Sequence, residues 1–177
     1  MTTEATRDQK VVLDHLRQKL RDYKELHDVQ VRPHRPIQLS RSHESVYILT
    51  YNNTPVCVEV FKEDQVDFSH TYSDFILIKI WSPLTNKHVV QFYGWILNSG
   101  SGNMKPTPGL VSYWREGGKV LSDYLKPKQA MTDEQRLTML LDIGSGLDFL
   151  HAQAIVHGGV KPASCVACAP RSSPLIF

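Results

Sequence analysis

The stretch Val56-Cys57-Val58-Glu59-Val60 alternates valine with other residues without a break. Side chains leave a strand on opposite faces in turn, so this pattern puts three valines on one face and Glu59 on the other. A helix would scatter them. Just upstream, S-V-Y-I-L-T-Y is rich in β-formers, and N-N-T-P between the two runs supplies turn residues. Before these, Ile37 and Leu39 alternate with polar neighbours; after them, H-V-V-Q-F-Y-G-W-I-L and L-V-S-Y-W read as further strands. A Gly/Ser/Pro-rich loop, N-S-G-S-G-N-M-K-P-T-P-G, separates the last two runs, and E-G-G ends the second. The middle of the chain therefore predicts an antiparallel meander.

Helical signals flank it. From about Glu4 to Val29 the apolar residues Leu13, Leu16, Leu20 and Tyr23 recur in steps of three and four, a stripe on one face of a charged helix. Such a helix either packs on its own domain or binds a partner, and V-R-P-H-R-P breaks it. Near the end, Thr132 and Gln135 have capping-box spacing ahead of Leu137, Leu140, Leu141, Ile143, Leu147 and Leu150. Gly144 and Gly146 within that run each cost about 1 kcal/mol against Ala, so tertiary packing must hold this helix. D-F-I-L-I-K-I-W fits a buried helix or a strand equally well.

Composition narrows the class. Over 177 residues, 41% hydrophobic and 21% charged content is that of a globular chain, long enough for one domain core. A formal charge of +2 without a dense Lys/Arg stripe argues against nucleic acid as a partner. No apolar run approaches the ~20 residues of a membrane span, and the polar start has no secretory signal, so the expectation is a cytoplasmic or otherwise intracellular protein. Three cysteines do not suggest a disulfide framework. Cys165 and Cys168 form a C-x-x-C, a spacing seen in zinc and redox sites, but only His157 lies near in sequence, so packing is the simpler reading and no metal is expected. His34, His43 and His70 lack metal-ligand spacing.

The order of segments carries a resemblance. L-S-R-S-H-E-S-V-Y, V-C-V-E-V-F-K, K-H-V-V-Q-F-Y-G, G-L-V-S-Y-W-R-E-G-G and D-I-G-S-G-L-D-F-L-H-A-Q-A-I-V-H-G-G-V-K-P together resemble a protein kinase domain read from its start. The similarity runs from about Pro36 to Pro162 and is greatest to the tyrosine-kinase-like branch, including fungal members. It implies an α+β fold: a small lobe of five antiparallel strands plus one long helix, then a partial, helical large lobe. The expected layout is an N-terminal helix over 1–30, the small lobe over 36–114, a hinge at 115–118, the start of the large lobe over 119–164, and an unstructured tail over 165–177. D-F-I-L-I-K-I-W becomes the small-lobe helix by the same analogy.

The resemblance also shows which functional positions are altered. The Gly-rich loop, whose bare backbone approaches phosphates, falls on Ser40, Ser42 and Ser45. The catalytic Lys falls on Glu59; two like charges about 4 Å apart cost on the order of 4 kcal/mol at an effective dielectric of 20. Lys62 points to the opposite face and does not replace it. A gap-free count puts the helix Glu on Leu77, expected to face Glu59, with Ser112 leading into the hinge. In the catalytic loop, His157 and Lys161 remain, the general-base Asp becomes Gly159, and the metal-binding Asn becomes Ser164. These residues imply a catalytically inactive, pseudokinase-like module without a cofactor, acting through a protein partner at the N-terminal helix or an exposed 133–151 helix. Two other readings remain at this point: a truncated or misannotated kinase fragment, and a weak ATP-binding kinase.

Overall fold

The paired runs fold as their alternation requires. β1 (Glu44–Tyr51) and β2 (Thr54–Phe61) are antiparallel, with Tyr51 opposite Thr54 across a two-residue turn. Both turn residues have positive φ, 48° at Asn52 and 60° at Asn53, a conformation that asparagine tolerates and that matches the twist of a hairpin. β3 (Phe92–Asn98) and β4 (Thr107–Tyr113) complete a four-stranded sheet in the order β1-β2-β4-β3, every pair antiparallel. The computed structural model describes residues 11, 14–27, 29, 44–61, 71–98, 107–126, 131–168 and 172–176. The fifth strand expected at Ile37 and Leu39 lies outside them.

The described residues belong to two compact units, Met1–Pro83 with Phe92–Tyr113, and Leu84–Gln91 with Trp114–Phe177. In the first, the sheet has an apolar cluster on each face. Val56, Val58, Val111 and Leu49 gather with Leu26 on one. Leu110, Phe92 and Trp95 gather on the other with Leu20 and with Ile78 of the helix α2 (Thr71–Trp81). D-F-I-L-I-K-I-W is thus helical, as the family analogy suggested.

The N-terminal segment departs from expectation. Helix α1 is described at residues 11 and 14–19, and the chain then turns and runs extended, bridging Glu25 to Trp95. It does not continue as a helix to Val29. Leu16 and Leu20 are fully buried, so this segment packs within the first unit.

In the second unit, β5 (Lys119–Val120) leads into a single helical turn, α3 (Leu121–Tyr124). α4 (Asp133–Ala152) follows, with the capping box in place: Gln135 N–H donates to Thr132 Oγ1 at 3.2 Å, and Thr132 N–H donates to Gln135 Oε1 at 3.0 Å. The segment expected to be an unstructured tail is instead the hairpin β6 (Cys165–Cys168) and β7 (Ser172–Ile176), which forms a three-stranded sheet with β5. Cys165, Val166, Ala167, Leu175 and Ile176 are buried, and removing these apolar groups from water is what orders the segment.

This hairpin changes the environment of α4. A Cβ on Gly146 would lie 2.9 Å from Ile176 Cδ1 and 3.0 Å from the His88 carbonyl, so the helix approaches β7 through its missing side chain. Leu150 is buried on the same side, whereas Leu137, Leu140 and Leu141 are 58%, 66% and 62% exposed. The expected apolar stripe is thus split, with its C-terminal half packed at home. His88–Val90, expected in a strand with Phe92, belong here as well. Ile176 N–H donates to the His88 carbonyl at 3.0 Å, and Val90 N–H donates to the Ile176 carbonyl at 2.9 Å. The His88 ring is buried, with Nδ1 3.5 Å from Asp142 Oδ1.

Candidate functional site

The positions that the resemblance assigns to phosphate binding and catalysis fall into two sets, one in each unit. In the first, β2 presents Cys57 and Glu59 on the face opposite Val56 and Val58. Across the ladder Cys57 pairs with Ser112 and Glu59 with Leu110, both on β4. Glu59 is half-buried and Ser112 is buried. The Cys57 thiol is held far above its ordinary pKa, first by burial and then by the Glu59 carboxylate, while a hydrogen bond with Ser112 pulls weakly the other way. This face therefore carries a negative charge beside a thiol that stays protonated.

Leu77 is 49% exposed, and the residue α2 turns into the sheet is Ile78, packed with Leu110, the cross-strand neighbour of Glu59. The α2 residue that packs beside the cross-strand neighbour of Glu59 is therefore Ile78, one position on from Leu77. Of the serine loop, only Ser45 is described; it lies in β1 opposite Val60. Ser40, Ser42 and Lys62 lie outside the described residues. Beyond Ser112 the chain is not helical: Gly118 N–H donates to the Arg115 carbonyl at 2.8 Å, and Gly117 takes a φ of 71°. This is a tight turn at the expected hinge.

The second set lies between α4 and β6. His157 is half-buried and accepts the Gly159 N–H at Nδ1 over 3.2 Å, while its buried Nε2 has no hydrogen-bond partner among the described residues. Gly159 has open space where a Cβ would stand, so nothing steric excludes a side chain there. Ser164 is engaged in the loop itself: its hydroxyl donates to the Gly159 carbonyl at 2.7 Å and accepts the Lys161 N–H at 3.1 Å. Lys161 is exposed. Residues 157–164 contain no carboxylate, and Gly159, the position the resemblance gives to the general-base Asp, has no side chain to accept a proton.

Cys165 is buried, its thiol 3.6 Å from the Lys161 carbonyl and raised in pKa by burial, which makes it a packing residue of the loop. No group of three or more His, Cys, Asp or Glu suited to a metal occurs among the described residues. No helix among them is long and apolar enough to cross a membrane.

Sequence reasoning missed two contributors. Cys57 was legible, since strict alternation puts it on the face of Glu59. The part of β7 in fixing α4 was not, because P-L-I is too short to show a period.

A search of curated proteins found no match. The family model for protein tyrosine and serine/threonine kinases matches residues 43–169, well over half of the chain. That span takes in β1 through β6, with the turn at 115–118 and the H-G-G-V-K-P loop. The chain belongs to the protein tyrosine and serine/threonine kinase family.

Proposed function

We propose that this member of the kinase family is catalytically inactive and acts by contact, as an intracellular regulatory or scaffolding module that does not use ATP. The observation that carries the reading is Glu59, a carboxylate at the position where the family holds its phosphate-binding Lys. Gly159 and Ser164 point the same way: the first offers no base, and the second uses its hydroxyl to hold the loop. Loss of the Lys attraction, added to repulsion of about 4 kcal/mol from Glu59, corresponds to a thousandfold or greater drop in nucleotide affinity.

The test is a thermal-shift titration of the full chain with ATP–Mg²⁺ to millimolar concentration, alongside Glu59→Lys. A ligand at a hundred times its Kd adds about 2.7 kcal/mol, which moves a domain of this size by several degrees. The expected result is no shift for the natural chain and a measurable one for Glu59→Lys. A dose-dependent shift of several degrees in the natural chain would sink the proposal.

A further inference from the structure

The N-terminal segment passes round the free edge of the first sheet and grips both faces. Leu20 lies in the cluster of Ile78, Phe92, Trp95 and Leu110 on one face, while Leu26 lies with Val56, Val58 and Val111 on the other. Between them the backbone clasps one residue of β3: Trp95 N–H donates to the Lys24 carbonyl at 3.0 Å, and Leu26 N–H donates to the Trp95 carbonyl at 2.8 Å. The Trp95 indole N–H donates to the Tyr23 carbonyl at 3.2 Å. A forked ion pair from Arg17 to Glu25, 3.1 Å at its shortest, closes the turn between α1 and the extended part.

Two further facts give this clasp a consequence. Gly94 has a φ of 153°, and a Cβ there would lie 2.3 Å from the Lys24 carbonyl, so the segment seats only because residue 94 has no side chain. Of α2 residues 76–80, Ile78 alone is buried; Ile76, Leu77, Lys79 and Ile80 are exposed. Among the described side chains of α2, contact with the sheet runs through the cluster that Leu20 completes, together with the Trp81 ring, 5.3 Å from that of Phe92.

We propose that residues 16–26 are an intramolecular strap that fixes α2 against the sheet, seated through Gly94, and that strap and α2 open together while β2 and β4 stay paired. A protein that captured this segment would release α2. The inference is independent of whether the chain binds nucleotide.

Hydrogen-exchange mass spectrometry on the full chain, with Gly94→Ala and Leu20→Ala, tests it. Loss of two backbone hydrogen bonds in Gly94→Ala corresponds to about thirtyfold faster exchange of residues 16–26, and coupling requires a rise of similar size in 71–81. Leu20→Ala, which leaves the clasp on Trp95 in place, should also accelerate 71–81. In both variants β2 and β4 should stay within about threefold of the natural chain. Acceleration confined to 16–26 in Gly94→Ala, or no change in 71–81 in Leu20→Ala, would overturn the coupling. An equal rise through β2 and β4, or global unfolding of both variants, would make the segment an inseparable part of the core and end the proposal.

Discussion

Replacing Ile176 by alanine isolates what β7 contributes to α4. The residue is fully buried, and its Cδ1 and Cγ1 lie 2.9 Å and 3.1 Å from where a Cβ on Gly146 would stand. Its backbone bonds to His88 and Val90 do not involve the side chain, so Ile176→Ala removes packing alone. Burial of such a side chain is worth about 1.5–3 kcal/mol, and the cavity left against α4 brings the expected loss to about 2–5 kcal/mol. Ile176→Val should cost about 1 kcal/mol. Since a small domain has about 5–15 kcal/mol in all, the alanine variant should be visibly destabilised without losing its fold outright. The assay is urea unfolding followed by helical circular dichroism, which α4, the longest described helix, dominates. With a slope of about 1–3 kcal/mol per molar urea, the midpoint should fall by about 1 M or more for alanine and by roughly a third of that for valine. An alanine midpoint within about 0.3 M of the natural chain would mean that α4 does not rest on β7, and would restore the unstructured tail.

Thr132→Ala removes one half of the capping box and should cost about 1 kcal/mol, read as a lower midpoint in the same titration; Thr132→Ser should recover most of it. Cys57 gives a pH signature. Its folded pKa is raised above the ordinary 9.0, so the unfolded chain releases this proton first and stability falls as pH rises past about 9. Between about pH 8 and pH 10 the Cys57 contribution should fall by about 1.4 kcal/mol, and Cys57→Val should show a correspondingly shallower loss of Tm; equal slopes would contradict the burial of this thiol. Leu140→Gln lies on the exposed part of α4 and should change stability by no more than about 0.5 kcal/mol while improving solubility, whereas Leu150→Gln, on the buried side, should unfold the second unit.

Period-two alternation at Val56–Val60, the Asn52-Asn53 turn and the Thr132/Gln135 box were legible because each is a local signal: the residues that carry it are the residues that satisfy it. The residue types at Glu59, Gly159 and Ser164, on which the proposed function rests, are likewise read directly from the sequence, since side-chain chemistry travels with it. What the chain could not show locally was decided by partners far away along it. Whether α2 turns Leu77 or Ile78 inward depends on where Leu20 and Leu110 wait, and two adjacent apolar residues do not separate those choices. Residues 1–30 carry a helical stripe, yet the helix stops at 19 because an extended segment can bond the open edge of β3 at Trp95, an edge created by strands formed later in the chain. The hairpin after Lys161 shows no period of its own, and becomes ordered only because Gly146 leaves a groove for Ile176 and because His88 and Val90 offer the backbone partners that β7 needs.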